Sequence, residues 1–353
     1  VMRIDDIPEE TLSAFRRGGV IPAQPLALNS QRELDVRRQR ALSRYYLDAG
    51  SVGIAVGVHT TQFTIRDVGL YEPVLRLAAE EAESWVERTP FMIAGVVGKT
   101  DQALSEAKIA KSLGYQAVLL GLAALNDASV DELVAHCRKV ADVMPVVGFY
   151  LQPAVGGRNL PYEFWKQFAE IENVVGIKLA PFNRYKTLDV VRGVADAGAK
   201  DRITLYTGND DHIVGDLMTP FPVQINGKTE TINIVGGLLG HWSVWTRKAV
   251  ELVEEISAIR GQEAAPMAWW TRDAAVTDSN GAFFDAANDY VGVIAGLHEV
   301  LRRQGLLEGI WCLDPDEGLG RGQLAEIDRV YTSYPELNDD DFVRQNLDRW
   351  LAD

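Results

Sequence analysis

Two residues with the means to do covalent chemistry stand 28 positions apart, Tyr150 in VVGFYLQP and Lys178 in VVGIKLA. Both stretches are short runs of β-branched and other apolar residues, so each side chain is carried by what reads as a buried strand. A buried ammonium is costly without a partner, and burial favours the free amine. A free amine adds to a ketone and yields an imine, whose electron demand stabilises a carbanion at the adjacent carbon. That chemistry makes or breaks a C–C bond without a metal. A phenol beside it can carry protons to and from the carbinolamine. The structural alternative for Lys178 is a carboxylate partner deeper in the fold.

Strand side chains alternate between two faces, which divides each run into two sets. In VVGIKLA, Val174, Gly176, Lys178 and Ala180 share one face and Val175, Ile177 and Leu179 the other. In VVGFYLQP the matching set is Val146, Gly148 and Tyr150, with Val147, Phe149 and Leu151 opposite. A spacing of 28 is about one βα repeat, so Tyr150 and Lys178 are expected at equal height on adjacent strands, with their side chains meeting. In GIAVGVH the inward set would be Gly53, Ala55, Gly57 and His59.

The elements that must position these residues recur with a regular beat. Strand-like segments begin near Phe91, Ala117, Val146, Val174, Ile203 and Ile232, at intervals of 26, 29, 28, 29 and 29 residues. That is one strand, one loop and one helix. With earlier strands in VIPAQPLAL and SVGIAVGVH, the pattern predicts an α/β (β/α)8 TIM barrel over residues 21–250. Residues 1–20 form an N-terminal extension, and residues 251–353 a C-terminal helical region ending in an acidic arm. Asn226-Gly227 within PFPVQINGKTETINI predicts a hairpin inserted near 221–231, with the eighth strand from Ile232. A doubly wound sheet is the alternative, but the first strand is not followed by a glycine-rich dinucleotide loop.

The chain has 353 residues and a net charge of −15, with 47% hydrophobic residues, and no basic block offsets the acidity. Nucleic acid and anionic membrane surfaces are thus excluded as expected partners. Cys137 and Cys312 lie far apart and read as plain buried thiols, which suits a reducing compartment. With neither a signal-peptide pattern nor an apolar run of membrane-spanning length, the expected location is the cytoplasm.

GFYLQP, VVGIKLA, LYTGNDD and FMIAGVVGKTDQALSEAKIAKSLGYQAVLL together resemble the dihydrodipicolinate synthase / N-acetylneuraminate lyase family. The resemblance runs over roughly residues 20–300. It implies a class I lyase or aldolase that forms a Schiff base with a 2-oxo acid such as pyruvate, uses no cofactor and assembles as a homodimer or homotetramer. Lys178 would be the imine lysine and Tyr150 the catalytic phenol. The family's Gly-Thr-Thr-Gly-Glu carboxylate loop is here GVHTTQF, leaving Gly57, His59, Thr60 and Thr61 as candidates for the clamp. The synthase's tyrosine pair is replaced by Ala124 and Leu125, and its arginine by Val155, with Arg158 nearby. These departures imply an activity other than dihydrodipicolinate synthesis, with a different and less anionic aldehyde partner, aromatic or hydrophobic in character; a sugar acid is the other expected partner. Dehydration of a 2-keto-3-deoxy sugar acid would use the same imine.

Three further patterns complete the reading. In TGNDD, Asn209 and Asp210 before an apolar helix read as N-cap residues, with Gly208 left free for the approach of substrate. In IVGGLLGHW, Gly236 and Gly237 could seat a phosphate at the end of the eighth strand or could serve only packing. His59, His212 and His241 have no zinc-type spacing, so no metal is expected. The rival functions are a phosphate-binding barrel isomerase and a non-catalytic 2-oxo acid sensor.

Overall fold

In the computed structural model, which describes residues 1–353, eight parallel strands curl into a barrel. They are β1 (Val20–Pro22), β2 (Ala55–Val56), β3 (Ile93–Val96), β4 (Ala117–Leu120), β5 (Val146–Leu151), β6 (Val174–Ala180), β7 (Thr204–Thr207) and, after an inserted hairpin, β10 (Ile234–Leu239). The order β1-β10-β7-β6-β5-β4-β3-β2 is that of a sheet wound once around. A bridge between Ala23 and Ala55 closes it, reinforced by Val52 N–H donating to Val20 O at 2.9 Å and Gln24 N–H to Ala55 O at 2.8 Å. The chain therefore adopts the (β/α)8 architecture, with helices outside each crossover and further helices at the C-terminal end.

Local chemistry sets the element ends. Helix 130–141 starts in a capping box between Ser129 and Glu132, and helix 36–49 starts on the Asp35 side chain and stops at Gly50, whose φ is +97°. The hairpin pairs β8 (Phe221–Ile225) with β9 (Lys228–Ile232) around Asn226 and Gly227, at φ +50° and +76°. Both central residues are left-handed, as a tight two-residue turn requires. Ile232 thus closes the hairpin, and the eighth barrel strand begins two residues later at Ile234.

The N-terminal extension plugs the amino end of the barrel. Helix 9–17 inserts Phe15 between the rings of Phe91 and Tyr206, at centroid distances of 4.1 and 4.8 Å, and Tyr206 Oη donates to Phe15 O at 2.7 Å. At the opposite end, Phe284 and residues of helix 293–303 cover the barrel mouth. The acidic tail read as an arm instead folds back onto helix 36–49. There Trp350 is fully buried against Tyr45 at 5.2 Å, and Asp339 accepts hydrogen bonds from Tyr45 Oη at 2.5 Å and Gln304 Nε2 at 2.8 Å. Cys137 and Cys312 are buried free thiols, and no helix is long and apolar enough to cross a membrane.

One irregularity decides which side chains reach the barrel interior. Val146 pairs with Val174, but Val147 pairs with Gly176, so β6 carries one more residue than β5 at this level. Beyond this bulge the offset between the strands is 29 rather than 28, and Phe149 stands opposite Lys178 while Tyr150 stands opposite Leu179. A slip of one residue moves a strand's side chains to the other face. Accordingly Val147 and Phe149 join the interior cluster, whereas Val146 and Tyr150 join the layer between sheet and helices. In β6 the bulge also turns Val174 outward and Val175 inward, reversing the expected sides of both.

Candidate active site

Lys178 lies near the carboxyl end of β6 and points into the barrel, as the alternation of VVGIKLA predicts. It is only 9% exposed. Two residues below it, Gly176 leaves room for the Phe15 ring, since a Cβ there would come within 2.9 Å of Phe15 Cζ. Alongside, Gly208 leaves room for the lysine stem, since its Cβ would lie 2.6 Å from Lys178 Cε. The amine sits 4.5 Å from the centre of the Phe149 ring. Burial lowers its pKa to about 8, and the charge of Asp210 opposes that shift. More of the neutral amine is therefore available near neutral pH than an exposed lysine offers.

Tyr150 does not share this cavity. Its ring packs against Trp165 at 5.4 Å and its hydroxyl accepts a hydrogen bond from Leu160 N–H at 3.2 Å. The expectation that it meets Lys178 is corrected by the β6 bulge. Helix 162–169 supplies the aromatic wall that receives it, and Gly148 makes space for Phe168 and Trp165 on the same outer face.

The residues after β2 divide into structural and cavity-facing ones. Gly57, at φ +76°, turns outward, where a Cβ would meet Tyr71 at 2.9 Å. Thr61 is fully buried, and its hydroxyl accepts from Gly57 N–H at 3.0 Å and donates to Gln24 O at 2.7 Å. These two hold the loop in shape. Thr60 and His59 line the Lys178 cavity. Burial, followed by the charge of Lys178, lowers the His59 pKa to about 4, so its ring is neutral.

Gly236 lies elsewhere. A Cβ on it would meet Gly19 O at 2.3 Å and Tyr206 Cε1 at 2.6 Å, which places it in the barrel floor rather than at the rim. Gly237 faces the Trp242 ring. The glycine of this strand end that borders the cavity is Gly240, against Thr60 Oγ1. The packing alternative for Gly236 and Gly237 is the one their surroundings support.

The loop after β7 also departs from expectation. The short helix 213–218 has His212 at its N-cap position and no side-chain cap, so neither Asn209 nor Asp210 caps it. Asn209 instead ties the loop down. Its Oδ1 accepts from Phe182 N–H at 2.9 Å, and its Nδ2 donates to Asp216 Oδ2 at 2.8 Å and Thr187 Oγ1 at 3.3 Å. With Asn209 held outward, Asp210 is turned into the Lys178 cavity. It is 7% exposed, and its Oδ1 is buried without a hydrogen-bond partner. Burial raises its pKa to about 7 against the pull of Lys178.

The remaining cavity wall comes from residues that carry no motif. Phe149 lies in β5 and Gln152 just after it, Phe182 follows β6, and Tyr290 reaches over from the C-terminal region. Tyr290 is half-buried at φ +67°, edge-on to the Phe182 ring at 6.2 Å. Nothing in the barrel repeat points to it, because it belongs to a segment outside the repeat. Asp210 did have a signal: continuing the alternation of β7 past its end puts Tyr206, Gly208 and Asp210 on one face. The space around Lys178 is about 60 Å³. It adjoins a cavity of about 590 Å³, with His59, Phe149, Leu151 and Val155 in both walls and Ala123, Ala124 and Arg158 further out. No three His, Cys, Asp or Glu side chains gather in a way that could hold a metal ion.

Known proteins share this framework. Residues 16–237 match the model of the dihydrodipicolinate synthetase family. A 4-hydroxy-tetrahydrodipicolinate synthase of Alkaliphilus oremlandii is 26% identical over 57% of this chain and 66% of its own length. An N-acetylneuraminate lyase 2 of Escherichia coli is 23% identical over 84% of this chain and 88% of its own. The crystal structure of dihydrodipicolinate synthase from Oceanobacillus iheyensis superposes with a TM-score of 0.73 at 16% identity, covering 93% of this chain and all of that one. YagE from Escherichia coli K12, solved in complex with pyruvate, gives a TM-score of 0.71 at 18% identity over 91% of this chain and 98% of its own.

Proposed function

Since the chain belongs to the dihydrodipicolinate synthetase family, we propose that it is a class I lyase or aldolase that binds a 2-oxo acid, pyruvate foremost, as an imine on Lys178. The observation that carries this reading is a buried amine, lowered to about 8, opening on a small cavity at the carboxyl rim of the barrel. The neutral amine attacks C2 of the 2-oxo acid, and loss of water leaves an iminium that acidifies C3. The carbanion equivalent at C3 then adds to an aldehyde, or the reverse cleavage releases one. The same iminium permits loss of a hydroxyl from a 2-keto-3-deoxy sugar acid.

Of the four clamp candidates, Thr60 and the neutral His59 remain free to meet the carboxylate, because Gly57 and Thr61 are occupied in holding the loop. The 590 Å³ space alongside, with Ala123 and Ala124 in its wall, gives the second substrate its room. Both arginines in its wall are already engaged, Arg158 with the Leu125 and Ala128 carbonyls and Arg66 with Glu106, and Phe63 and Leu122 are apolar, which favours a partner that is not strongly anionic. The working form is a homodimer or homotetramer, which light scattering on the purified protein checks.

Borohydride reduction in the presence of pyruvate, followed by peptide mass spectrometry, tests the reading. The expected result is a reduced pyruvate adduct on Lys178. Absence of any adduct at saturating pyruvate would overturn it.

A further inference from the structure

We propose that Asp210 is the proton-transfer residue of imine formation on Lys178, in the place that the sequence pattern gives to Tyr150. The inference rests on the Schiff-base reading above and deepens it by naming the acid.

The titratable groups that face Lys178 across its cavity are His59 from the loop after β2, Asp210 from the loop after β7 and Tyr290 from the C-terminal region. Tyr150 is excluded by its outward packing on Trp165. His59 is held neutral well below its usual range and has little imidazolium to offer as an acid. Burial raises the Tyr290 phenol, and the Gln152 side chain opposes that shift. A phenol with a raised pKa gives up its proton reluctantly near neutral pH.

Asp210 differs from all of these in geometry. The chain at Gly208 runs against the stem of Lys178, and Asn209 is fixed by bonds to Phe182, Asp216 and Thr187, so the next residue is presented to the cavity by a rigid loop. Its Oδ1 is buried with no donor to satisfy it. A buried, unpaired carboxylate oxygen costs stability unless it is neutralised or meets a ligand. Here the ligand that supplies the missing partner is the carbinolamine hydroxyl.

The step balances. Lys178 in its ammonium form gives up one proton, carried across the shared cavity to the Asp210 carboxylate, which lies beyond direct ion-pair contact, leaving a neutral amine and a neutral acid. The amine nitrogen forms a bond to C2 of the 2-oxo acid, and the proton displaced from nitrogen ends on the former carbonyl oxygen. Asp210 then donates its proton to that hydroxyl, the C–O bond breaks, and water leaves. The products are the iminium on Lys178, one water molecule and the Asp210 carboxylate. That carboxylate is regenerated beside the new cation and is stabilised by it.

The test measures the rate of borohydride-trappable adduct formation with pyruvate, as a function of pH, in the full-length protein and in D210N, D210E and Y150F. Wild type is expected to show a rate profile governed by Asp210 and Lys178 together. D210N is expected to form adduct roughly 100-fold more slowly or worse and to lose the Asp210 limb of the profile. D210E retains a carboxyl group and is expected to recover part of the rate, and Y150F is expected to remain within about threefold of wild type. Wild-type rates in D210N, or a loss in Y150F equal to that in D210N, would overturn the assignment. If D210N does not fold, D210E and Y150F decide: a D210E profile identical to wild type in position and height would overturn it, and a displaced profile beside an unchanged Y150F upholds it. Failure of wild type itself to form an adduct would instead overturn the Schiff-base reading on which the assignment rests.

Discussion

The two ends of the barrel interior solve opposite problems with the same strands. At the floor, Phe15, Phe91 and Tyr206 stack tightly, the one buried phenol is paired with a backbone carbonyl, and Gly176 and Gly236 yield the space these rings need. At the rim, two residues further along β6 and four beyond Tyr206, stand Lys178 and Asp210, two ionisable groups in one small cavity, with Asp210 Oδ1 buried and lacking a hydrogen-bond partner. The floor is arranged for stability, with every large group satisfied. The rim keeps groups whose burial is unfavourable, and such an arrangement persists where a ligand completes it. A barrel can hold both because its layers of side chains are largely independent.

This contrast can be broken from either end. The largest effect is expected from Lys178→Ala, which should abolish the adduct and lower turnover roughly 10³-fold or more while the circular dichroism spectrum stays native. Turnover near the wild-type level would remove the rim from the chemistry. At the floor, Phe15→Ala empties a fully buried aromatic site and should cost about 3–5 kcal/mol of unfolding free energy in urea. The same variant should still form adduct under conditions where it is folded, and loss of adduct in the folded variant would show the two layers to be coupled.

The pH dependence of stability sharpens the comparison further. Lys178 binds its proton more weakly in the native state, about 8 against an ordinary 10.5, so its contribution rises as pH increases between those values. Asp210 binds its proton more tightly in the native state, about 7 against 3.8, so its contribution falls as pH increases between those values. Urea titrations from pH 4 to 10 should show the high-pH rise flattened in Lys178→Met and the low-pH fall flattened in Asp210→Asn. Unchanged slopes in both would mean that neither group is buried in solution. The smallest effect belongs to Tyr150→Phe, which gives up one hydrogen bond from Leu160 and should lose about 1 kcal/mol of stability.

The sequence was most legible where a pattern repeats. The spacing of apolar runs was enough to recover the strand–helix beat, Asn226-Gly227 marked the hairpin, and the alternation within VVGIKLA put Lys178 inside. The same alternation misplaced Tyr150, because a spacing of 28 cannot reveal which strand carries an extra residue. Asp210 was only partly legible: continuing the alternation of β7 puts it inward, but it and Asn209 both suit a helix cap, and the partners of Asn209 decide that Asn209 anchors the loop while Asp210 turns inward. Tyr290 could not be found by any repeat, since it comes from outside the barrel.

By itself, then, the sequence determined the barrel, the hairpin and an inward lysine near the rim, all of which follow from local periodicity and turn chemistry. The tertiary structure alone decided the lysine's company. A bulge at Val175 turned Phe149 rather than Tyr150 toward it, and the anchoring of Asn209 brought in Asp210. The physical reason is that strand register depends on pairing between segments, and one added residue reverses the facing of every side chain beyond it.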